Sequence, residues 1–249
     1  MNPTLLLAAF AVGTVAGSFL ATAVLRAEEA SWSWLGGRSR CPRCAARLGP
    51  RDLVPLLSFF LLRGRCRHCG VRIGWWYPAI EATAGVLAAI SFVLQPPPRA
   101  ALLALLAWVL LALALFDARS LRLPDPVTLP LVVTGLAVNT FGARLLPELA
   151  FATPRSALLG AGGAFMFLFA LGALYLRLRG QAGLGLGDAK LAAAAGAWLG
   201  ASQLPLYFLI AGLLGLAQAV ALGALRRPGL RVPFGPALAA SLWLLLVTD

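Results

Sequence analysis

The chain has 249 residues, of which 60% are hydrophobic and 12% are charged. Soluble domains are roughly 45–50% apolar and about 25% charged, so the composition excludes an ordinary soluble protein and predicts a polytopic membrane protein. The net charge of +12 would suggest nucleic-acid binding in a soluble chain. Here the basic residues lie between apolar segments, where they act as topology signals, and we expect no nucleic acid as a partner.

About eight apolar segments approach the length needed to cross a lipid bilayer. A spanning helix requires about 20 mostly apolar residues, and the segments near 127 and 188 are short by this measure. The first segment is expected to be a retained span rather than a cleaved signal. The predicted segments lie near residues 4–25, 78–94, 100–116, 127–142, 156–176, 188–201, 204–224 and 235–248. The sequence therefore predicts an all-α membrane bundle of about eight transmembrane helices.

Arginine and lysine are distributed unevenly between the two sides of this bundle, and loops rich in these residues stay in the cytoplasm. With both chain ends outside, the inner loops collect ten arginines within residues 26–72, whereas the outer loops hold only Arg99, Arg144 and Arg155. We therefore expect both ends outside and the hydrophilic loop at about 27–77 inside. Its apolar stretch, Leu53 to Leu62, is about half a span long and is expected to pack on the loop or on the bilayer surface.

All four cysteines lie in this loop, as two Cys-x-x-Cys pairs separated by 21 residues. Each pair can form a tight turn that presents two thiolates to one ion, and two such turns complete a closed tetrahedral site. The sequence thus predicts a structural zinc ion, with no ligand role for the neighbouring His68. Two disulfides or redox-active pairs are the alternative, but a cytoplasmic loop keeps its thiols reduced. The predicted zinc ligands are Cys41, Cys44, Cys66 and Cys69.

Two acidic residues, Asp117 and Asp188, fall at the inner ends of apolar segments and therefore at the same predicted depth. A carboxylate within a membrane is costly, so a pair at one depth indicates a shared function. Two carboxylates in a poorly solvated site share a proton, so one can take a proton from water while the other polarises a carbonyl, the chemistry of aspartyl peptide hydrolysis.

Each aspartate also has a purely structural alternative. Asp117 could pair with Arg119 or Arg122 at the interface, and Asp188 could cap its own helix. Gly185 and Gly187, which precede Asp188, favour a functional role because their missing side chains let an extended peptide approach.

The order of these motifs resembles the type IV prepilin peptidases, within the intramembrane aspartyl proteases that carry a Gly-x-Gly-Asp motif. The resemblance runs through most of the chain. Its parts are Gly17-Ser18-Phe19-Leu20, the two cysteine pairs, Gly64-Arg65-Cys66, Tyr77-Pro78, Glu81, Asp117, Leu123-Pro124-Asp125, Gly185-Leu186-Gly187-Asp188 with Lys190-Leu191, and Pro233-Phe234-Gly235-Pro236.

The resemblance implies that Asp117 and Asp188 are the catalytic pair of an enzyme in the bacterial inner membrane, with the zinc loop and both aspartates at the cytoplasmic side. The substrates would be precursors of type IV pilins or type II secretion pseudopilins, cut after the glycine that ends a short basic leader. Family enzymes often then methylate the new N-terminus with S-adenosylmethionine. This second activity is associated with an N-terminal part, residues 1–98, and cleavage with residues 99–249. Glu81 is a candidate for the methyl-transfer half or for pairing with an arginine, and Asp125 is expected to give structural support.

Other functions remain open at this point. The enzyme could cleave without methylating, or the chain could be a proton-coupled transporter, which also places carboxylates in its spans. A transporter is expected to carry acids near the bilayer midplane and often repeated halves, and the sequence indicates neither. A zinc-loop membrane scaffold would explain the cysteines but not the paired aspartates.

Overall fold

The computed structural model describes residues 3–28, 39–41, 43–180, 183–224 and 231–249. Regular structure in these ranges is helical, and extended pairing is limited to two isolated bridges, Arg40 to Arg47 and Arg65 to Arg72. The α-helices are α1 (Pro3–Glu28), α2 (Leu57–Leu61), α3 (Trp76–Leu94), α4 (Pro97–Ser120), α5 (Asp125–Ala137), α6 (Ala143–Leu145), α7 (Pro154–Arg179), α8 (Leu186–Leu199), α9 (Leu204–Ala221) and α10 (Gly235–Thr248). The all-α prediction is confirmed for these residues.

Five helical segments in the described ranges are long and apolar enough to cross a membrane. They are Pro3–Val24, Trp76–Leu94, Pro97–Ser120, Pro147–Arg179 and Ala201–Ala221. The predicted count of eight spans is not confirmed. Helices do form at the other three predicted segments, but α5, α8 and α10 have only 13, 14 and 14 residues. At about 1.5 Å per residue they are shorter than a hydrocarbon core of about 30 Å.

The chain forms two compact units, Met1–Trp108 and Val109–Asp249. In the first, α1 packs against α3 through glycines that let the two backbones touch. A Cβ on Gly13 would lie 2.6 Å from the carbonyl oxygen of Ala84, and one on Gly17 would lie 2.8 Å from Cα of Glu81. Gly17 of the Gly-Ser-Phe-Leu motif is therefore explained by close helix packing. The predicted division after residue 98 stays a prediction.

The loop between α1 and α3 contains two hairpin turns, each built on one cysteine pair. In the first, the amide of Cys41 donates to the carbonyl of Ala46 and the amide of Ala45 to the carbonyl of Cys41. The second repeats this pattern, with Gly70 in the place of Ala45. We call these turns the first and second knuckles. Between them, the predicted apolar stretch forms the short helix α2, in which Phe59 is the buried residue.

The second unit is organised around α8, whose residues from Leu191 to Leu199 are all buried. A helix that is apolar on every side belongs in the interior, and α8 packs against α5, α7 and α10. Small residues make this possible. The backbones of α7 and α8 touch where Gly160 meets Gly196, and a Cβ on Gly135 of α5 would lie 2.5 Å from the Trp198 ring. The predicted segment near 188 is therefore short because it is the centre of the unit.

Asn139 holds the end of α8 in place. It is fully buried within a π-helical turn, Val138–Gly142. Its Nδ2 donates to the carbonyls of Ala197 and Trp198 at 2.8 and 3.0 Å. Its Oδ1 accepts from the amides of Phe151 and Ala152 at 2.8 and 2.9 Å. One side chain thus satisfies four backbone groups, of which the two carbonyls are buried at the end of α8.

Candidate aspartyl active site

Asp117 lies in the last turn of α4 and is only 5% exposed. Its Oδ2 accepts a hydrogen bond of 2.7 Å from the amide of Gly235, the first residue of α10. The N-terminus of a helix carries partial positive charge and unpaired amide groups, so it stabilises a carboxylate there. The hydrogen bond that the structure describes for Asp117 therefore comes from a helix terminus. The structural alternative had predicted an ion pair with an arginine instead.

Asp188 is the third residue of α8, and Gly185 is the residue that precedes this helix. The amide of Gly185 donates to Oδ2 of Asp188 at 3.2 Å. This is half of a capping box, because glycine has no side chain to complete the other half. Asp188 therefore does cap its own helix, as the structural alternative predicts. The capping hydrogen bond uses only Oδ2 and leaves Oδ1 of the carboxylate for another contact.

The two aspartates line one cavity of about 350 Å³. They lie close enough for their charges to interact. Each is held through Oδ2 by a backbone amide, and within the part of the chain that the structure describes, neither Oδ1 has a hydrogen-bond partner. The cavity is lined by Asp117, Leu121, Arg122, Leu123, Asp125, Gly185, Leu186, Gly187 and Asp188. The arrangement offers two carboxylate oxygens to a peptide and a water molecule.

An ion pair joins the helix starts beside this cavity. Nζ of Lys190 lies 2.6 Å from Oδ1 of Asp125, the first residue of α5. Lys190 lies two residues after Asp188 on α8, so the ion pair fixes α8 relative to α5 close to the candidate catalytic group. This agrees with a supporting role for Asp125.

The glycines before Asp188 differ in what surrounds them. A Cβ on Gly187 would lie 3.0 Å from Cβ of Leu123, so internal packing alone requires a small residue there. A Cβ on Gly185 would meet only Asp188 and Gly187 of its own turn. Gly185 is exposed and lines the cavity. Of the two, it has the open side that an approaching peptide would need.

The four cysteines of the loop come together as the spacing predicts. Their Sγ atoms all lie within 4.8 Å of one another, and Sγ of Cys41 is 3.7 Å from Sγ of Cys69. A tetrahedral zinc with Zn–S bonds of about 2.3 Å has sulfur atoms about 3.8 Å apart, so the cluster fits this ion. All four are free thiols, so the disulfide alternative is not what the structure shows.

The first knuckle also favours a thiolate. The backbone amides of Cys44 and Arg43 hydrogen-bond to the sulfur of Cys41 and lower its pKa to about 6. Metal ligation requires the deprotonated sulfur. Although the amide of Val71 acts to lower it, burial and the neighbouring sulfurs raise the pKa of Cys69 to about 11. The preference for a thiolate therefore belongs to Cys41, and the geometry of the four sulfurs is what fits zinc.

Comparison with known proteins identifies the family. Residues 11–94 match the bacterial Peptidase A24 N-terminal domain, and residues 104–220 match the type IV leader peptidase family. The chain is 46% identical over 208 residues to the prepilin leader peptidase/N-methyltransferase of Burkholderia pseudomallei, covering 82% of this chain and 64% of the relative. It is 38% identical over 261 residues to the protein of that name from Dickeya chrysanthemi, covering 95% of this chain and 90% of the relative.

The chain belongs to the type IV leader peptidase family. A protein of the same name from Aeromonas hydrophila is 36% identical over 223 residues, covering 88% of this chain and 74% of that relative. The chain spans less than two thirds of the length of the Burkholderia relatives. No solved structure matches significantly.

Glu81, in the part that matches the N-terminal domain of this leader peptidase family, has a structural partner. It is 8% exposed, and its Oε2 accepts a 2.7 Å hydrogen bond from the amide of Leu56. Leu56 has φ 59° and ψ −54°, and the amide of Leu57 donates to the carbonyl of Pro55. These features describe a γ-turn of the strained kind. Glu81 therefore holds a strained turn of the loop against α3, and a role in methyl transfer stays a prediction.

Two residues of the site were not predicted from the sequence. Gly235 donates to Asp117 across 118 positions in the chain, and no local pattern indicates such a contact. The motif Pro233-Phe234-Gly235-Pro236 was the available signal, since proline and glycine at a helix start leave an accessible amide. Leu121, with a φ of 52°, is the other. It ends α4 in a left-handed conformation that is unfavourable for leucine and lines the cavity.

Proposed function

We propose that this protein is a membrane aspartyl endopeptidase that removes the leader from type IV prepilins and pseudopilins, with Asp117 and Asp188 as its catalytic pair. The observation that carries the proposal is that both carboxylates line one cavity, each held by a backbone amide through Oδ2. The family to which the chain belongs supports the same reaction.

Cleavage would use the two carboxylates in opposite protonation states. The ionised carboxylate accepts a proton from water as its oxygen attacks the scissile carbonyl carbon, while the protonated carboxyl donates to the carbonyl oxygen. Breakdown of the resulting tetrahedral intermediate breaks the C–N bond, and the leaving nitrogen takes up a proton from the pair. The amides of Gly185 and Gly235 keep each carboxylate oriented through this cycle, which fixes the reacting oxygens relative to the peptide.

The substrate would reach the site as an extended chain at the cytoplasmic rim of the inner membrane. Cleavage after a glycine and a short basic leader are what the family implies. Gly185 supports this route because it lines the cavity without a side chain. Arg122 also lines the cavity. Its positive charge would repel a basic leader, so the leader would lie away from the wall that carries Arg122.

The second activity that we propose is methylation of the new N-terminus with S-adenosylmethionine, assigned to the N-terminal part, residues 1–98. The names of the relatives support it. Zinc at Cys41, Cys44, Cys66 and Cys69 would act structurally, because four sulfur ligands leave no open position. Replacing Cys41 with serine is expected to lower metal content and thermal stability more than it alters the chemistry of the aspartate pair. An unchanged zinc content would contradict the zinc assignment.

The test uses the full-length protein in detergent with a prepilin peptide, and weighs the products by mass spectrometry. Asp117→Asn and Asp188→Asn should each slow cleavage by roughly 10³-fold or more, because each removes a proton-transfer group. Glu148→Gln is the matched control, since Glu148 is an exposed carboxylate in a 3-10 turn distant in sequence from both aspartates. Full cleavage by either aspartate variant would rule out the proposed pair. Adding S-adenosylmethionine should raise the product mass by one methyl group, and an unchanged mass would reduce the activity to cleavage alone.

A further inference from the structure

A second cavity, of about 430 Å³, lies in the loop between α1 and α3 and has no part in peptide hydrolysis. Aromatic rings and guanidinium groups make up most of its walls. We call this the arginine-aromatic surface and define it as Phe59, Phe60, Arg63, Arg65, Arg72 and Trp75.

The aromatic part is a fixed platform that is largely open to its surroundings. Phe59 is buried and its ring lies 5.8 Å from that of Phe60 and 4.9 Å from that of Trp75, in edge-to-face contact. Phe60 is 60% exposed, Leu61 72% and Trp75 70%. Three adjacent large apolar side chains left open in this way indicate a surface that another apolar phase covers.

The guanidinium part contains an unfavourable arrangement of like charges. Arg65 and Arg72 stand opposite each other in the bridge of the second knuckle. Like charges in directly opposed positions destabilise a strand pair. The first knuckle has the same arrangement, with Arg40 opposite Arg47, because an eight-residue pattern, Arg-Cys-x-x-Cys-x-x-Arg, occurs at 40–47 and again at 65–72.

Nearby negative charge does not balance these groups. Residues 39–75 contain eight arginines and a single acidic residue, Asp52. Asp52 is already paired with Arg67, whose Nε lies 2.7 Å from its Oδ1. Zinc bound by four thiolates would carry a charge of −2 and cancel only two of the positive charges. The described surroundings of the arginine-aromatic surface therefore lack the anion that its charge favours.

The surface lies directly beside a candidate membrane span in the chain. Trp75 directly precedes α3, which begins at Trp76 and is one of the helices long enough to cross a membrane. Tryptophan and tyrosine concentrate at the level of lipid headgroups, and Trp75, Trp76 and Tyr77 stand together at this helix start. The surface is thus tied by one peptide bond to the end of a membrane span.

We propose that the arginine-aromatic surface binds the headgroup layer of an anionic bilayer. Phe60 and Trp75 of this surface enter the interface together with the adjacent Leu61, and Arg63, Arg65 and Arg72 bind lipid phosphates. Arginine suits this because its planar guanidinium forms paired hydrogen bonds with phosphate oxygens. The bound lipid supplies the negative charge that offsets the opposed Arg65 and Arg72, and it holds the zinc loop at the membrane surface.

Other occupants fit this surface less well. S-adenosylmethionine carries a sulfonium and an ammonium group against one carboxylate, so its net positive charge is repelled by three arginines. A basic prepilin leader is repelled for the same reason. A phosphate ion alone would satisfy the arginines but not the exposed rings.

Tryptophan quenching in the full-length protein tests whether the rings enter the bilayer. The protein is reconstituted into nanodiscs of phosphatidylcholine, with or without phosphatidylglycerol, using lipids brominated near the top of their acyl chains. The difference between wild type and Trp75→Phe isolates the signal of Trp75. We expect bromine to quench Trp75, more strongly with phosphatidylglycerol and less at high salt. A Trp75 signal that bromine does not quench would overturn the proposal.

Two arginine pairs at equivalent knuckle positions provide a matched test of the charge. Native mass spectrometry of the purified protein measures the phosphatidylglycerol retained by Arg65→Gln/Arg72→Gln and by Arg40→Gln/Arg47→Gln. At about 1 kcal/mol per arginine, the first double variant should bind roughly 30-fold more weakly, and the second should bind nearly as wild type. Zinc content serves as the folding control for both variants.

Equal losses in the two double variants would contradict the proposal and assign the arginines to neutralising the zinc thiolates. Inorganic phosphate should not displace the lipid at millimolar concentration, and full displacement would show a simple anion site instead. If Arg65→Gln/Arg72→Gln does not fold, the quenching of Trp75 still tests the proposal, because that experiment keeps all the arginines and shows directly whether Trp75 enters the bilayer.

Discussion

Replacing Gly235 with alanine is expected to slow leader cleavage while leaving the protein folded. The amide of Gly235 donates to Oδ2 of Asp117 at 2.7 Å. An alanine Cβ would lie 2.7 Å from that oxygen and 2.9 Å from both Cβ and Cγ of Asp117. These distances are too short for ordinary contacts, so the carboxylate or the start of α10 must move. The backbone itself accepts alanine, because Gly235 is not among the glycines with positive φ.

The size of the effect follows from the contact that is lost. A hydrogen bond to a charged group contributes about 1.5–3 kcal/mol, which corresponds to roughly 10- to 150-fold in rate if it is absent from the transition state. Displacing a reacting group by about 1 Å can cost roughly 10²-fold. Gly235→Ala should therefore lower kcat by roughly 100-fold.

The assay is prepilin peptide cleavage by the full-length protein, with kcat and the unfolding temperature measured for each variant. Gly212→Ala is the control, because Gly212 lies in α9 of the same unit and a Cβ there would meet no atom within 4 Å. It should keep wild-type activity and gain stability, since alanine is favoured over glycine in a helix by about 1 kcal/mol. Wild-type kcat in Gly235→Ala would refute the claim that this amide positions Asp117.

Four further substitutions, in three experiments, test the scaffold around the two sites. Asn139→Leu removes the four hydrogen bonds of this side chain, two of them to buried carbonyls, and should lower the free energy of unfolding by at least about 3 kcal/mol, measured by thermal unfolding in detergent. A loss below about 1 kcal/mol would contradict the role of Asn139 in holding the end of α8. Ala45 and Gly70 have φ of 56° and 70° at equivalent positions of the two knuckles, a backbone conformation that favours glycine. Ala45→Gly should therefore slow the loss of zinc to a chelator and Gly70→Ala should speed it, each by about 1 kcal/mol in activation free energy. Effects of the same sign in the two variants would show that the positions are not equivalent. The amide of Gly49 donates to Asp52 and holds its pKa below its usual range, so the stability that Asp52 adds is present above about pH 4 and lost as the pH falls through its folded pKa. The stability difference between wild type and Asp52→Asn should therefore shrink below about pH 4, and a difference that grows on acidification would contradict this.

The parts of the structure that could be predicted from the sequence are those encoded by local spacing or by bilayer thickness. Two Cys-x-x-Cys pairs predict converging thiols because each knuckle closes within a few residues, and the four sulfurs do converge. Asp117 and Asp188 could be predicted to lie near each other because both fall at the inner ends of apolar segments, which places them at the same depth in the bilayer. The structure brings them to the same cavity, and their catalytic role stays a proposal.

The contacts that could not be predicted depend on packing between distant helices. Asn139 lies within a predicted span, where one amide side chain gives no sign that it will satisfy the end of α8, 58 residues later. Gly187 was interpreted as room for a substrate, yet Leu123 packs against it. The length rule for spans also says little about α8, because a helix surrounded by protein buries its faces against other helices whatever its length.

The rate of the double variant Asp117→Asn/Asp188→Asn tests the central claim that the two aspartates act as one site. Groups that act as a unit show strongly non-additive effects, because removing either one already abolishes the shared step. Single-turnover cleavage of a prepilin peptide by both single variants and by the double variant should therefore fall to the same residual rate. If the losses multiply, so that the double variant is slower by the product of the two single effects, the aspartates contribute independently and the proposed dyad is wrong.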